Sequence, residues 1–292
     1  MDIIIGCGYL GRYLCTIMPD TRPHQLRCFV RSKTSAEYLK QQALHAECLD
    51  LDQLNDTMQC TELEHSNVYF FAPPSSHDLQ DHRMKNFLQL CTTNIPKRIV
   101  YISTSGVYGD CGGAWVDETQ PCAPLTDRAK RRLHAERALI SFCQANNCQY
   151  VILRVGGIYG PERIPLQRIH DITVVCPDEA PYSNRIHVHD LAQICLNAMH
   201  AVCHNQIFNV ADGNPTSMSD YFFKIAEHAG LPEPNCVPLA AAKQSLSSAM
   251  LSFINESKRM RIEKMLNLLK IDLVYPNLQS GLIDCFEKLN AR

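Results

Sequence analysis

The fold is decided by residues 1–11, which read Met-Asp-Ile-Ile-Ile-Gly-Cys-Gly-Tyr-Leu-Gly. The run Ile3–Ile5 is short, apolar and β-branched, which is typical of a buried strand. It is followed at once by Gly6, Gly8 and Gly11 in the spacing G-x-G-x-x-G, and the segment Arg12–Met18 has residues suited to a helix. The opening of the chain therefore predicts a strand, a tight turn and a helix.

The three glycines have separate physical roles in such a turn. The first permits the turn itself, the second lets the backbone approach a pyrophosphate, and the third lets the helix pack closely on the strand. The helix N-terminus adds unpaired N–H groups and a positive dipole, both of which favour phosphate. The motif in this context predicts a dinucleotide site, and we expect contacts from Gly6, Gly8, Tyr9, Leu10 and Gly11.

Apolar runs of strand length recur along the first half of the chain, with helical patterns between most of them. They lie at Arg27–Val30, Asn67–Ala72, Arg98–Ile102 and Tyr150–Val155. Strands that alternate with helix-length segments predict a parallel sheet covered on both faces, with right-handed crossovers. The expected fold class is α/β: a doubly wound parallel sheet of the Rossmann type with a smaller mixed C-terminal domain on the substrate side.

Changes in this alternation predict the domain organisation. Prolines recur after residue 160 and the regular pattern is lost there, which favours an insertion. A strand over Arg185–Val188 and a helix that begins near Asp190 then restore the pattern. The predicted parts are a dinucleotide-binding core at 1–160, a substrate-side insertion at 161–184, the last strand–helix unit of the core at 185–210 and a small C-terminal domain at 211–292.

The composition excludes several classes of protein. The 292 residues are 46% hydrophobic and 20% charged, enough to build a large core. A formal charge of −2 argues against nucleic acid or anionic lipid as partners. No apolar stretch reaches the roughly 18 residues of a membrane helix, and the N-terminus lacks a secretory pattern. We expect a cytoplasmic protein with a small-molecule substrate.

The cysteines predict neither disulfides nor a metal site. There are 15 of them, an odd number, scattered from Cys7 to Cys285 without any Cys-x-x-Cys pair. Disulfide scaffolds occur in much shorter secreted chains. We therefore expect reduced thiols that mostly pack as small apolar side chains.

The end of the second predicted strand bears on the choice of dinucleotide. Sites that prefer NAD place Asp or Glu about 20 residues after the glycines, where it binds the ribose hydroxyls. This chain has Arg31 there, followed by Ser32 and Lys33. A guanidinium, a hydroxyl and an ammonium suit a 2′-phosphate, which predicts NADP rather than NAD. The alternative is that Arg31 is simply solvated.

Two more strand ends complete the predicted cofactor site. Asp50 ends the third strand segment and is expected to meet the adenine amino group, although an aspartate there often only forms a turn. Phe71, Ala72 and Pro73 end the fourth strand, where backbone and small side chains would run beside the cofactor. The proline alternatively serves only to stop the strand.

Hydroxyl groups cluster after the fifth strand, where Ser103-Thr104-Ser105-Gly-Val-Tyr-Gly occupies residues 103–109. Open α/β sheets bind ligands at the carboxyl ends of their strands. With the glycine motif and the stretches at 154–161 and 184–192, this segment resembles the extended short-chain dehydrogenase/reductase superfamily, in its NAD-dependent epimerase/dehydratase group. The motifs occur in the family's order over essentially the whole chain. The resemblance implies that Thr104 hydrogen-bonds the substrate oxygen.

The chain departs from that family at its catalytic pair. The family uses Tyr-x-x-x-Lys, in which the lysine lowers the pKa of the tyrosine that transfers the proton. Glu136 fixes the register and places Arg128 at the tyrosine and Arg132 at the lysine, and no tyrosine lies between residues 108 and 150. An arginine with a pKa above about 12 is no acid or base, so Arg132 is expected only to hold the ribose. The departure is similar to the atypical YeeZ-like subgroup.

Three functions follow from these residues. The first is an NADP-dependent oxidoreductase or isomerase acting on a small polar alcohol or carbonyl compound, with Thr104 and Ser103 or Ser105 at the substrate oxygen and Tyr108 as the proton donor. The second is a non-catalytic NADP-binding redox sensor or regulator, because the tyrosine is missing. The third, an interaction protein, requires a vestigial glycine loop. By resemblance, the helix over Leu125–Ala145 predicts a possible homodimer.

Overall fold

The computed structural model describes residues 1–18, 25–54, 61–245, 251 and 254–291. Its strands are β1 Asp2–Ile5, β2 Leu26–Val30, β3 Ala46–Cys48, β4 Asn67–Phe70, β5 Arg98–Thr104, β6 Trp115–Val116, β7 Gln149–Val155, β8 Gly157–Tyr159, β9 Thr173–Val175, β10 Tyr182–Ser183, β11 Arg185–His187, β12 Gln206–Val210, β13 Thr216–Ser217, β14 Asn235–Val237 and β15 Arg259–Met260. Its helices are α1 Tyr9–Ile17, α2 Lys33–Gln41, α3 His82–Leu90, α4 Asp127–Asn146, α5 Val188–His200, α6 Met218–Ala229, α7 Leu239–Ser245, α8 Glu263–Leu269 and α9 Leu278–Asn290.

Seven strands form one parallel sheet in the order β12-β7-β5-β4-β1-β2-β3. The strand order reverses beside β1, as in dinucleotide-binding folds of the doubly wound type. The predicted α/β class and parallel sheet are confirmed. Because all seven strands run the same way, the residues that follow β1, β2, β4 and β5 meet along one edge.

The two faces of the sheet explain why its strands are continuously apolar. On β1, Ile4 packs on one face with Leu14 of α1 and Leu191 of α5. Its neighbours Ile3 and Ile5 point to the opposite face, where Phe87 of α3 and other helix residues cover them. Successive side chains alternate between the faces of a strand, so all three isoleucines of β1 are buried. This is the signature of a sheet with helices on both sides.

One strand assignment is wrong. The predicted strand over Arg185–Val188 was expected to belong to the core sheet, but β11 pairs with β8 in a separate two-stranded sheet. The seventh strand of the main sheet is β12, which pairs with β7 over its full length. A short apolar run predicts a strand without showing which neighbour it joins.

The C-terminal elements lie over the carboxyl edge of the sheet. Helices α6 and α9 pack on each other around Tyr221, Ile225 and Leu282. Short pairs tie them to the core: β10 with β13, β14 with β9, and β15 with β6. Among the described residues, no helix is long and apolar enough to cross a membrane.

Candidate functional site

The glycine loop, Gly6–Gly11, connects β1 to α1 with little room to spare at two of its glycines. Gly6 has φ +87°, and a Cβ there would lie 2.5 Å from the backbone nitrogen of Ala72. A Cβ on Gly11 would lie 3.1 Å from Cys7 Sγ. At Gly8, by contrast, the nearest atom is 3.9 Å away. A side chain therefore has no room at Gly6 and little room at Gly11, whereas the space above Gly8, where its Cβ would point, is open.

The N-terminus of α1 is free of side-chain caps. Its N-cap residue is Gly8, which offers no side chain, and the first turn contains no acid. Ser32, Asp81, Thr126 and Ser217, in contrast, each cap their helix with a side-chain oxygen. An uncapped N-terminus leaves N–H groups and a positive dipole for an anion. Together with the space above Gly8, this arrangement fits a pyrophosphate.

At the end of β2, Arg31 is exposed and Ser32 already has a role. The backbone N–H of Ser35 donates to Ser32 Oγ (3.2 Å), which makes this hydroxyl the N-cap of α2. After β3, the carboxylate of Asp50 accepts from the backbone N–H of Asp52 (3.0 Å) and so forms a turn. Arg31 is thus an exposed basic side chain at this end of the sheet.

The end of β4 contacts the glycine loop directly. The backbone N–H groups of Phe71 and Ala72 both donate to the carbonyl of Ile5, at 2.8 and 3.1 Å. The carbonyl of Pro73 accepts from Arg83 Nη1 (2.9 Å). The predicted cofactor residues that follow β1 and β4 are therefore neighbours.

Arg132 lies between the ends of β4 and β5. Its Nη1 donates to the carbonyls of Ile102 (2.9 Å) and Ala72 (3.4 Å) and to the hydroxyl of Tyr101 (3.2 Å). The position agrees with a role beside the predicted dinucleotide site. Neutral acceptors hold the guanidinium there as a fixed positive charge.

The three hydroxyls at the end of β5, Ser103, Thr104 and Ser105, have different surroundings. Thr104 and Ser105 are half-buried and line a cavity of about 630 Å³. Thr104 Oγ1 accepts from the backbone N–H of Gly106 (3.2 Å). Ser103 is buried, and its hydroxyl donates to the carboxylate of Glu136. Thr104 and Ser105 are thus the hydroxyls best placed for a ligand.

Glu136 anchors α4 to the sheet through a buried ion pair. Arg154 Nη2 lies 2.8 Å from Glu136 Oε2, and both side chains are almost completely buried. The residue that set the register in the sequence is therefore bound to β5 through Ser103 and to β7 through Arg154. This pair fixes the helix that carries Arg128 and Arg132.

Tyr108 is placed away from the cavity. It is completely buried, its hydroxyl donates to Asn209 Oδ1 (2.7 Å), and the guanidinium carbon of Arg154 lies 4.9 Å from its ring centre. Burial raises the pKa of its phenol well above the usual range. Among the residues predicted to be catalytic, the structure brings Thr104 and Ser105 to the cavity and leaves Tyr108 in the core.

The cavity is strongly cationic. Among the described residues it is lined by five basic side chains and one acidic one, Glu256. The basic residues are Arg128, Arg132, Arg163, Arg185 and Lys258. We call this space the cationic cavity. Such a lining favours a ligand with negative charge.

Arg185 and Tyr221 form the wall opposite the hydroxyls, and sequence reasoning missed both. The guanidinium carbon of Arg185 lies 4.0 Å from the ring centre of Tyr221, and its Nε is buried without a hydrogen-bond partner among the described residues. Burial raises the pKa of Tyr221 to about 12. Asp212 lies behind them, and burial raises its pKa to about 7. A polar atom buried without a partner beside a cavity is suited to ligand contact.

Lys258 was missed as well. It is buried, and its Nζ donates to the carbonyl of Gly109 (2.6 Å) and to Glu256 Oε2 (2.8 Å). Nothing local to the sequence around Lys258 indicates a site. The fold brings this lysine to Gly109, which lies 149 residues earlier in the chain.

Comparison with known proteins assigns the family. The family model described as the NAD dependent epimerase/dehydratase family matches residues 3–211. The chain therefore belongs to this family. A curated relative, the uncharacterized UDP-glucose epimerase YtcB of Bacillus subtilis, is 30% identical over 100 residues, which are 34% of this chain and 31% of that protein. The matched segment thus spans about a third of that relative.

Solved structures support the same fold. A functionally unknown conserved protein from Silicibacter pomeroyi DSS has a TM-score of 0.80 and 26% identity, covering 99% of this chain and 98% of its own. UDP-glucuronic acid 4-epimerase from Bacillus cereus, solved with NAD, has a TM-score of 0.75 and 17% identity, covering 99% and 97%. The second likeness is one of fold alone.

Proposed function

We propose that this protein binds a nicotinamide dinucleotide and acts as an oxidoreductase or isomerase on a small anionic alcohol or carbonyl compound. The observation that carries the proposal is the cationic cavity, which joins the hydroxyls of Thr104 and Ser105 to five basic side chains. The arginines at positions 128 and 132 further support membership of the atypical YeeZ-like subgroup.

The glycine loop would hold the pyrophosphate of the dinucleotide. The space above Gly8 and the uncapped start of α1 support this assignment, because phosphates bind at such helix ends. Phe71, Ala72 and Pro73 would border the cofactor, and Arg132 would hold its ribose. When bound, the nicotinamide supplies hydride transfer.

We propose NADP in preference to NAD, on the evidence of Arg31. Its exposed guanidinium at the end of β2 suits a 2′-phosphate. The Bacillus cereus epimerase was solved with NAD, so NAD is the competing choice. Titration calorimetry with NADPH and NADH decides: tighter NADPH binding is expected, and equal or tighter NADH binding overturns the preference.

Thr104 would polarise the substrate oxygen, with Ser105 beside it. The acidic group of the substrate would lie against Arg185, whose buried Nε has no hydrogen-bond partner in the described part of the chain. Tyr221 is a phenol on the cavity wall, and with its pKa near 12 it is protonated at neutral pH and able to donate a proton. Tyr108 is not part of this proposal, because its hydroxyl is bonded to Asn209 in the core.

The test is a turnover assay on the intact chain. Hydroxy acids, keto acids, sugar phosphates and nucleotide sugars are incubated with NADPH or NADP. Nicotinamide absorbance follows redox change, and mass spectrometry of the products detects isomerisation without net redox. We expect anionic compounds to react and their neutral analogues to fail. Dinucleotide binding without turnover of any compound would overturn the enzymatic part.

Three variants check the assigned roles. Thr104→Val is expected to lower kcat by about 100-fold, the cost of losing one donor at a substrate oxygen, while Thr92→Val, an exposed threonine just after α3, is the control. Arg185→Gln is expected to raise KM for the acid. Unchanged kinetics in both site variants would contradict the site.

A second candidate, a redox sensor without catalysis, is favoured by one observation. Arg132 is bonded to two carbonyls and a hydroxyl where the family's lysine would support a catalytic tyrosine. Limited proteolysis with NADPH and NADP separates the candidates. A cleavage pattern that depends on the redox state, with no turnover, supports the sensor.

A further inference from the structure

Three cysteines from three different elements meet behind the glycine loop. Cys7 lies within the loop, Cys15 lies on α1 and Cys28 lies on β2. Their sulfur atoms are all within 4.8 Å of one another, and Cys15 Sγ is 3.9 Å from Cys28 Sγ. Cys7 and Cys28 are buried, and Cys15 is half-buried. We call these residues the thiol cluster.

The strand–turn–helix unit itself builds this cluster. Gly11 has no side chain, and Cys7 Sγ occupies the adjacent space, 3.1 Å from where a Cβ on Gly11 would lie. Cys15 is one turn further along α1, and helical side chains tilt toward the N-terminus. Cys28 pairs in register with Ile4 and faces the same helix. All three sulfurs therefore point into one gap between α1 and the sheet.

We propose that the thiol cluster is a binding site for one soft monovalent cation, copper(I), held by three sulfurs. With metal–sulfur bonds of about 2.3 Å, sulfurs around a trigonal ion lie roughly 4 Å apart. The Cys15–Cys28 sulfur separation of 3.9 Å is close to this spacing, and all three sulfurs lie within 4.8 Å of one another, so binding needs only small movements. Thiolate sulfur is the ligand type that selects copper(I).

The number of ligands argues against a structural zinc site. Zinc in such sites is bound by four groups in a tetrahedron. Within the parts of the chain that the structure describes, the cluster contains three potential ligands and no fourth His, Cys, Asp or Glu. Three sulfurs satisfy a trigonal ion but leave a zinc ion incomplete.

The charge change on binding is simple. Each thiol that binds the ion loses its proton to solvent, and no electron is transferred. Cys7 directly precedes Gly8, the uncapped N-terminus of α1. The positive end of a helix stabilises thiolate, which offsets part of the cost of burying the negative sulfurs.

The test is an anaerobic titration of copper(I) against bathocuproine disulfonate, a competing chelator. A second pair of thiols, Cys176 and Cys236, lies 2.9 Å apart near the surface. The parent protein for this titration is therefore the double variant Cys176→Ser, Cys236→Ser, in which this pair cannot bind copper(I). We expect the parent to retain one copper(I) per chain. No retention by the parent would overturn the proposal.

Cys15→Ser and Cys28→Ala remove one ligand each, and Cys195→Ser removes a buried thiol outside the cluster. We expect each cluster variant to weaken copper(I) binding by more than the roughly 100-fold that loss of a supporting contact to a metal ligand costs. The Cys195 variant should bind like the parent. Equal binding by all three variants would refute the site.

X-ray absorption of the copper-loaded parent keeps the test independent of whether the variants fold. The expected spectrum has a first shell of three sulfur atoms. A shell that contains nitrogen or oxygen would place the ion elsewhere and overturn the proposal. None of these measurements depends on dinucleotide binding or turnover, so failure here leaves the proposed function standing.

Discussion

The glycine loop and the hydroxyl segment, Ser103–Ser105, lie at the same edge of the sheet but differ in how their polar groups are partnered. In the loop, Gly8 leaves open space and the start of α1 has no cap. In the hydroxyl segment, Ser103 is bonded to Glu136, which is itself paired with Arg154. The glycine loop therefore offers open space and backbone N–H groups to a ligand. At the hydroxyl segment, Ser103, Glu136 and Arg154 are already bonded to one another.

This difference separates what is general in the site from what is particular to this chain. A pyrophosphate needs space and backbone N–H groups, which any sequence with the right glycines provides. Chemistry at a substrate needs particular side chains at particular distances. The predictions below test this contrast, beginning with the largest effect.

The first prediction concerns the buried ion pair at the hydroxyl segment. Glu136→Gln should lower the free energy of unfolding by about 3–5 kcal/mol, because it leaves the charge of Arg154 buried without its counter-ion. Urea unfolding followed by circular dichroism measures the loss. The control is Glu263→Gln, since Glu263 is exposed and lies 3.9 Å from Arg261. Its effect should be within about 0.5 kcal/mol.

If Glu136→Gln proves as mild as its control, the hydroxyl segment is not held by this pair. The contrast between an open loop and a fixed segment would then be lost. A large effect supports the contrast, because the positions of α4, Arg128 and Arg132 would then depend on the carboxylate of Glu136.

The second prediction uses two buried titratable groups in the C-terminal half of the chain, His187 and Asp212. His187 is completely buried near α9, and burial lowers its pKa to about 4. Between that value and its ordinary 6.5, the unfolded chain binds a proton that the native chain excludes. The stability due to neutral His187 is therefore lost as pH falls through this range, by about 3 kcal/mol in total. As pH falls through this range, the free energy of unfolding of His187→Gln should rise by this amount relative to that of the wild type.

Asp212, behind the cationic cavity, should behave with the opposite sign. Its pKa is raised from 3.8 to about 7 by burial, so the native chain holds a proton that the unfolded chain releases. Its contribution to stability is present at low pH and is lost as pH rises through 7. Asp212→Asn should gain stability over the wild type as pH rises. Urea titrations at several pH values compare both variants, and parallel curves for variant and wild type would contradict the pKa shifts.

The sequence predicted the fold and the glycine loop because both depend on local patterns. Apolar strands separated by helices bury their side chains in a parallel sheet that is covered on both faces. The glycine spacing predicts a turn without any information from the rest of the chain. The approximate positions of the central strands along the chain follow from this. The position of β11 does not, because an apolar run contains no information about its partner strand.

The substrate side resisted prediction because its contacts join distant residues. Tyr108 was predicted to donate a proton, yet its partner Asn209 lies 101 residues away. The wall formed by Arg185 and Tyr221 comes from two elements of the C-terminal half. Such contacts depend on tertiary packing, which spacing along the chain does not reveal.

The third prediction separates two glycines of the loop. Gly6→Ala should lower stability by about 2 kcal/mol, because φ is positive there and the new Cβ would collide with the backbone of Ala72. Gly8→Ala should leave stability within about 0.5 kcal/mol, since nothing lies close to the new Cβ. Thermal unfolding provides the comparison.

At Gly8, dinucleotide affinity should fall although stability is unchanged. A methyl group above the loop would occupy the space assigned to the pyrophosphate, so Gly8→Ala should weaken NADPH binding by about tenfold. Calorimetry measures the change. An unaltered affinity would mean that the dinucleotide does not lie over this loop.

The smallest expected effect concerns Arg31. One charge-assisted hydrogen bond to a 2′-phosphate is worth roughly 1 kcal/mol at an exposed position. Arg31→Ala should therefore weaken NADPH binding by about fivefold and leave NADH binding unchanged, whereas Arg27→Ala on the same strand should alter neither. Arg27 lies on β2 and is paired with Glu62 at 3.3 Å. Arg27→Ala therefore removes a positive charge of the same kind without changing the end of the strand. Equal losses for NADPH and NADH would show that Arg31 acts through general charge, and the 2′-phosphate assignment would fall while the glycine loop kept its role.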